Sequence, residues 1–517
     1  MKEKQFENGE FSLGAIAGLV NKRGENVTTK IIEMLVEMKH RGLDSACILI
    51  NNETRWTENP DKIDSYGLDG HIALGNVQFS KLVKEPCGQP LEDCTGKLRL
   101  IIDGEIDNDR EIKLSLSNHH FHTKVGNEAI VHLVEKNFEK DLIQATRASL
   151  PILLGAYAFA IYDEREIVAA RDPVGMKPLY FGETHELAGF ASERKALWKL
   201  GIRNVKALTP GGILHVSLEG CQTSEGTRLV QPAVKIFTMD EAASKLKESL
   251  REAIRRKLGD FQNVAVAFSG GVDSVIIAKL IAAFGVKVNL YTAGFEGSYD
   301  VMAATKAAES LNFNHVVRLL TLKDVEEYLP KVVSAIEEAD PMKIEVGLPL
   351  FVVAEKARSD GIRVVFSGQG SDELFGGYSR YLRVLEQYGY DGLQDRLWRD
   401  ILEISEVNLQ RDEAVTMTNG IELKAPYLDV DVIRVAMTIH PALKIQDQND
   451  NLRKRVLRKT AEMLEIPSEA VERPKKAVQY GSGVDKAIKM LAIKNGYKHI
   501  ATYLKAVFDQ VFTDLSR

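Results

Sequence analysis

Residues 264–279 read VAVAFSGGVDSVIIAK, and this stretch decides the fold of the half of the chain that contains it. Val264 to Phe268 carries hardly a polar side chain and reads as a buried strand. Ser269-Gly270-Gly271 then makes a turn, and Asp273-Ser274 opens an apolar helix. Glycines at a strand-to-helix turn let backbone N–H groups approach an anion, and the helix N-terminus adds the positive end of its dipole. The combination is a phosphate cradle suited to ATP. Asp273, in the first helical turn, is placed to hold Mg²⁺, a hard cation that takes carboxylate and phosphate oxygens. No Gly-Lys-Ser/Thr follows the glycines, so this is not the Walker P-loop.

Outward from this turn, amphipathic helices alternate with buried strands at Val264 to Phe268, Val286 to Thr292, His315 to Leu320 and Arg363 to Phe366. That alternation predicts an α/β domain with a parallel sheet and a ligand at the carboxyl ends of its strands. A second glycine-rich turn follows the last of these strands: SGQGSDELFGGY, residues 367–378. Asp372 and Glu373 there lie in reach of a metal, and two such turns can flank one nucleotide. The first half has a different texture, with short β-rich runs at Ile16 to Val20, Ala46 to Ile50, Leu98 to Ile102, Tyr157 to Tyr162, Ile167 to Ala170 and Gly212 to Val216. Helical periodicity is confined mainly to Thr28 to Met38 and Asn127 to Phe138, which predicts packed sheets. The chain therefore divides into a domain over 1–228, a linker over 229–238 containing Gln231-Pro232, and a second domain over 239–517.

Composition narrows the function classes. At 517 residues with 44% hydrophobic and 27% charged content, the chain is an ordinary globular protein. A net charge of −6 gives no global pull toward nucleic acid or anionic membrane. No apolar run approaches the roughly 18–20 residues that span a bilayer, and the polar opening MKEKQFENGEFS is not a signal peptide. Cytoplasmic location is the expectation. The four cysteines, Cys47, Cys87, Cys94 and Cys221, lack CxxC pairing, which predicts neither a disulfide framework nor a zinc site.

SGGxDS resembles the PP-loop of ATP pyrophosphatases, enzymes that split ATP between its α- and β-phosphates. Together with SGQGSDELFGGY it resembles the synthetase domain of the asparagine synthetase family and of the related β-lactam synthetases. YTAGFEGSYD (291–300), EEADP (337–341), ELKAPYLD (422–429), LRKRVLRK (452–459) and ERPKKAVQYGSG (472–483) follow the same pattern. The resemblance implies that Ser269, Gly270, Gly271, Asp273 and Ser274 bind the ATP phosphates, that Asp273 and Asp372 ligate Mg²⁺, and that Phe268, Ala293, Ser367 and Gly368 line the adenine and ribose side. It also implies that Lys475 is the catalytic lysine, a fixed ammonium facing the negative charge that builds on the intermediates. One departure stands out: members with SGEGSDE place a glutamate near the amine nucleophile, whereas this chain has Gln369. An amide cannot accept a proton as a carboxylate does, so Glu345, Glu373 or the substrate itself must take that role.

Residues 14 to about 216 resemble the class II glutamine amidotransferase domain, an N-terminal-nucleophile αββα sandwich. GAIAGLV, HRGLDSA (40–46), IIDGEIDN (101–108), GAYAFAIYD, AARDPVGMKPLYFG and FASERKAL occur in that family's order. The family attacks glutamine with a cysteine at the mature N-terminus, whose α-amine is the base. Here that position is Gly14, and a 13-residue extension precedes it. The arginine that would bind the substrate carboxylate is Gln78, the asparagine of the NGE motif is Asp103, and the aspartate for the substrate amine is Gly126. Cys47, Cys87 or Cys94 would need its own base and substrate clamp to replace the lost nucleophile.

The expected function is an ATP-dependent, AMP-forming amide ligase, with aspartate (or another carboxylate) and ammonia as small-molecule substrates and asparagine as product. Two alternatives are intramolecular amide formation of the β-lactam synthetase type and tRNA modification by a PP-loop enzyme. For the last, the run Arg453-Lys454-Arg455 with Arg458-Lys459 is the one basic footprint, and its spacing reads as a solvated face or a phosphate-side helix. A membrane or nucleic-acid partner is not expected, and a homodimer is the assembly the resemblance allows.

Overall fold

The computed structural model describes residues 13–79, 88–471 and 481–513. They form two compact units, Met1–Leu229 and Val230–Arg517. In the first unit the strands are β1 (Leu13–Asn21), β2 (Ser45–Ile50), β3 (Glu53–Thr57), β4 (Ile72–Phe79), β5 (Leu91–Glu92), β6 (Arg99–Ile106) and β7 (Gly155–Tyr162). β8 (Ile167–Arg171), β9 (Tyr180–Glu183), β10 (Leu187–Ala191), β11 (Lys206–Ala207), β12 (Gly212–Ser217) and β13 (Gly220–Glu225) complete them. They build two antiparallel sheets, ordered β11-β9-β10-β1-β4-β2-β3 and β13-β12-β8-β7-β6-β5.

Alternation along these strands makes the sandwich. Ile16, Val20, Leu49, Leu74, Ile101, Ala158, Ala169 and Leu214 point inward between the sheets. The opposite faces carry their own apolar layers. Ala17, Leu19, Ile48 and Val77 pack under the helix Thr28–Glu37 and the helix Arg194–Lys199. On the second sheet, Leu100, Ile102, Phe159 and Ala170 pack under Glu128–Asn137 and Leu142–Ser149. Each sheet thus buries both faces, and the unit is an αββα sandwich. The sequence pattern identifies β1, β2, β6, β7, β8 and β12. It passes over β4, a strand buried on both faces that lacks an alternating signature.

The second unit is α/β. Its strands β14 (Asn263–Ala267), β15 (Lys287–Phe295), β16 (Asn314–Leu320), β17 (Val364–Phe366) and β18 (Glu422–Lys424) are all parallel, in the order β16-β15-β14-β17-β18. The chain builds outward from β14 to β15 and β16, then returns to lay β17 on the other side of β14. The strand order therefore reverses between β14 and β17, and a crevice opens there at the carboxyl ends. β18 escapes the sequence pattern because Glu-Leu-Lys is polar; its two charges pair with each other, Lys424 Nζ 2.6 Å from Glu422 Oε1. Residues 230–238 belong to this unit and touch it through Lys235, whose N–H donates to Thr438 O at 2.8 Å.

Thr238 starts the first helix of this unit, Met239–Leu258. Its hydroxyl accepts from the N–H of Glu241, and the Glu241 carboxylate accepts from the Thr238 N–H, a reciprocal cap. The helix packs on Val430–Thr438 and Arg455–Glu462 through Leu246, Leu250 and Ile254. Thr238→Ala should cost about 0.5–2 kcal/mol, read as a lower denaturation midpoint for the full chain. A midpoint that does not move would show that the cap contributes nothing in solution.

Candidate active site

The crevice follows from the two glycine-rich turns. After β14 the chain enters Gly270 at φ +71°, a left-handed conformation open to glycine, and an added Cβ would meet Ala303 O at 2.7 Å. The turn passes directly into the helix Val272–Ala282, whose N-cap Gly271 offers no side-chain cap. First-turn N–H groups therefore remain for an anionic ligand. After β17, Gly368 brings the second turn against the first; a Cβ there would lie 2.9 Å from Asp273 Cβ. The cleft between them is lined by Phe268, Ser269, Asp273, Ser274, Ala293, Ser367, Gly368 and Asp372. Eight of the ten sequence-derived nucleotide residues thus meet at one cleft, and Gly270 and Gly271 lie in the turn between its lining residues Ser269 and Asp273. Lys475 lies outside the described residues.

Lys454 is the residue that sequence reasoning missed. Its Nζ lies 2.7 Å and 2.8 Å from the two carboxylate oxygens of Asp273, 2.7 Å from Asp372 Oδ1 and 3.1 Å from Ser371 Oγ. Its side chain is 2% exposed. Arg453 and Arg458 are buried too, so of the two readings of this basic run, a solvated face or a phosphate-side helix, the first fails for these three residues, while Arg455 and Lys459 stay partly exposed. Backbone contacts aim the lysine. Arg453 and Lys454 both take positive φ, +52° and +51°, an uncommon pair for side chains of this size. Arg453 Nε donates to Gly377 O and Arg458 Nε to Arg453 O, and these bonds hold the turn that carries Lys454 inward. The sequence signal was its place at the N-terminus of an amphipathic helix rather than within it.

The far wall of the cleft carries charge of both signs. Arg411 and Asp412 line it, both buried, with Arg411 Nε 2.8 Å from Asp412 Oδ1 and Nη1 3.3 Å from Asn408 Oδ1. They begin the helix Gln410–Met417 directly after a π-helical turn at Ser405–Leu409, an irregularity that re-aims side chains and often marks functional positions. Asp300 and Gln369 also line the cleft. Of the two carboxylates considered as replacements for a glutamate at 369, Glu373 turns away. It is buried, accepts from Tyr378 Oη at 2.7 Å and Asn408 Nδ2 at 3.0 Å, and burial with the neighbouring Asp372 charge pushes its carboxyl up. Glu345 stands beside the cleft-lining Val346 on the helix Pro341–Ser359. Burial first, then the charges of Asp485 and Asp340, raise its pKa.

In the first unit, Gly14, Gln78 and Asp103 come together but build a closed polar core. Gly14 sits inside β1 opposite Gln78 of β4, with Leu13 paired to Phe79 before it. Its N–H points to Asp103 Oδ1 at 3.4 Å and its carbonyl accepts from Arg41 Nε at 2.9 Å. Arg41 and Lys177 pair with Asp103 at 3.2 and 3.1 Å, and Arg41 reaches Glu193 as well. Burial pushes the Glu193 carboxyl up, but the charges of His40, Lys195 and Arg41 outweigh it and hold it well below the usual carboxylate range. Gln78 Oε1 accepts from Gln89 Nε2 and Asn76 Nδ2. Where a Cβ at Gly126 would extend, the Asp109 carboxylate stands 2.8 Å away. Cys47 is buried in β2, and Cys87 lies outside the described residues.

Known proteins match both units. A family profile for asparagine synthase matches residues 245–388 and 384–500, and one for the glutamine amidotransferase domain matches 13–221. A Methanocaldococcus jannaschii protein provisionally named asparagine synthetase (glutamine-hydrolyzing) 1 is 33% identical over 93% of this chain and 96% of its own length. This chain belongs to the asparagine synthetase family. Asparagine synthetase (glutamine-hydrolyzing) 3 of Arabidopsis thaliana is 26% identical over 83% of this chain and 71% of that protein. Among solved structures, the glutamine phosphoribosylpyrophosphate amidotransferase of B. subtilis aligns at TM-score 0.38 and 21% identity, covering 55% of this chain and 67% of that one. The family member described here is a carbon–nitrogen ligase, an ATP-dependent amide ligase of the asparagine synthetase kind. Among the described residues, no helix is long and apolar enough to cross a membrane.

Proposed function

We propose that this protein converts aspartate to asparagine through β-aspartyl-AMP, with free ammonia rather than glutamine as the nitrogen donor, in the cytoplasm. The observation that carries the ligase half is the convergence of Asp273, Asp372 and Lys454 beside an uncapped helix N-terminus. These residues fit a triphosphate and a divalent cation. The N–H groups of the 269–274 turn would orient the phosphates, Asp273 and Asp372 would hold Mg²⁺, which neutralises phosphate charge, and Lys454 would follow the phosphates once the carboxylates are engaged. The Phe268, Ala293, Ser367 and Gly368 wall suits the nucleoside. Arg411 and Asp412 present opposite charges to the α-carboxylate and α-ammonium of an amino acid. The side-chain carboxylate of aspartate then attacks the α-phosphorus, pyrophosphate leaves, and ammonia displaces AMP from the acyl carbon. Glu345, with its raised pKa, is the group we assign to take the proton from the attacking nitrogen. The apolar wall of buried Val353 and partly buried Leu350 excludes water that would otherwise hydrolyse the acyl-adenylate.

The test is product analysis with ATP, aspartate and ammonium. AMP, pyrophosphate and asparagine are expected; ADP as the main product, or AMP release with no aspartate dependence, refutes the reading. The same assay places Lys475. Lys475→Ala should slow turnover by roughly 10²-fold or more while ATP binding persists, as for loss of a preorganised electrostatic stabiliser. Lys476→Ala should be far milder. Equal losses at the two positions would remove Lys475 from the role.

A further inference from the structure

One cluster of side chains in the first unit plays no part in the sites above. Cys94 lies on the turn between β5 and β6, His119 on the segment after the helix Asp109–Ser115, and His132 and Glu135 on the helix Glu128–Asn137. One donor atom from each lies within 4.8 Å of all the others. Cys94 Sγ is 3.5 Å from Nδ1 of both His119 and His132. Glu135 Oε2 is 2.9 Å from His119 Nδ1 and 3.1 Å from His132 Nδ1. A tetrahedral zinc ion with bonds of about 2.0–2.3 Å has ligand-to-ligand edges of roughly 3.3–3.6 Å. The four side chains already stand close to those edges, drawn slightly inward.

The surroundings favour a cation at the centre. His132 is fully buried, and its other ring nitrogen, Nε2, faces the equally buried Glu128 carboxylate at 3.4 Å. Glu128 is itself fixed by the N–H and hydroxyl of Thr123. A ring that donates Nε2–H to Glu128 turns its Nδ1 lone pair toward Glu135 Oε2 and Cys94 Sγ. Acceptors facing one another at about 3 Å are mutually repulsive unless a proton or a metal cation lies between them, and a bound metal ion serves all four groups at once. A carboxylate behind the distal nitrogen of a ligating histidine is the usual outer partner of a metal site. Backbone groups also serve the two anionic ligands. The His120 N–H points to Cys94 Sγ at 3.3 Å and the Cys94 N–H to Glu135 Oε2 at 3.3 Å. The same Sγ–Nδ1 contact also resembles a cysteine nucleophile with its base, but Glu135 in the cluster opposes a free thiolate and favours a metal-bound one.

We propose that Cys94, His119, His132 and Glu135 bind one structural Zn²⁺. Thiolate, two imidazoles and one carboxylate form a mixed S/N/O set that suits zinc rather than Mg²⁺ or Ca²⁺, and four protein ligands close the coordination sphere. Binding releases the cysteine proton to water. The ion would tie the β5–β6 turn, the segment at His119 and the helix Glu128–Asn137 to one point. The paired-cysteine spacings that signal zinc in a sequence are absent here, so the earlier exclusion of a zinc site on that ground does not hold.

The experiment uses the full-length chain purified without chelators, with elemental analysis before and after incubation with Zn²⁺. About one zinc per chain is expected, falling roughly tenfold or more in Cys94→Ser, whose position at the surface spares the core. Co²⁺ in place of zinc should give a thiolate charge-transfer band that Cys94→Ser lacks. Glu128→Gln, which keeps all four ligands, should weaken zinc about 10–100-fold in competition with a chelating dye. Failure of the wild-type chain to retain zinc after incubation overturns the proposal. So does zinc content that Cys94→Ser leaves unchanged, or a Co²⁺ form without the thiolate band.

Discussion

Asp273→Ala is expected to lower pyrophosphate release by on the order of 10³-fold, the upper range for losing one preorganised electrostatic group. The reason is geometric. Both Asp273 oxygens lie within 2.8 Å of Lys454 Nζ, and Asp372 Oδ1 meets the same ammonium from the other turn. Removing one carboxylate leaves a single acidic group to hold a divalent cation and lets the buried lysine swing its full charge onto Asp372. Asp372→Ala should do the same from the other side. Asp273→Asn separates charge from shape, since the amide fits the space but cannot ligate Mg²⁺ as an anion; its loss should approach that of Ala. The measurement is pyrophosphate release at saturating ATP, aspartate and ammonium, with thermal melts to show that each variant is folded. Activity within about tenfold of wild type in both alanine variants would mean that neither carboxylate serves the reaction.

Glutamine is expected to give no product where ammonium gives full turnover. Asp103, which the resemblance sets where the amidotransferase motif has asparagine, is engaged by Arg41 and Lys177, and on the same reading Gln78 and Gly126 stand in for the remaining substrate contacts. Gly14→Cys should not restore the activity, even in a chain that begins at that residue. A Cβ at position 14 would stand 1.8 Å from Val77 O and 2.8 Å from Val77 C, both backbone atoms of β4. Strand β1 would have to move away from its neighbour, and overpacking of this kind costs about 1–3 kcal/mol. The variant should therefore be less stable as well as inert toward glutamine. Glutamate release is the readout for wild type and variant, with and without ATP and aspartate. Glutamine-dependent turnover matching that with ammonium would show that the first unit holds a nucleophile elsewhere.

Much of this was legible in the chain itself, for reasons that differ by residue. The strand β14, its turn and Asp273 form one continuous segment, so local pattern was enough to see them. Asp372 was visible for the same reason. Lys454 was not, because its role depends on a left-handed turn and on two carboxylates that the sequence places far away. Arg411 and Asp412 were hidden in a helix whose register is shifted by the π-helical turn before it. β18 was missed because its polar residues are paired within the strand. In the first unit, Gly14 was the expected nucleophile position on resemblance alone, and the ionic core that fills its neighbourhood could not be read from the sequence. Cys94 looked isolated because its partners approach from a loop and a helix, a relation that residue spacing does not encode.

The position of β1 also has a kinetic side. It is laid between β4 and β10, with Ala17 opposite Gly75 on one side and Ala191 on the other. Strand β1 thus takes a central place in its sheet while one of its two neighbours, β10, is still unmade. At ~5–20 residues per second, that neighbour follows roughly 10–35 s later. Long-range pairing of this kind makes for slow folding, with loop entropy spent before the contact is gained. Until then the apolar stretch from Ala15 to Val20 has one open edge, a template for pairing with other strands.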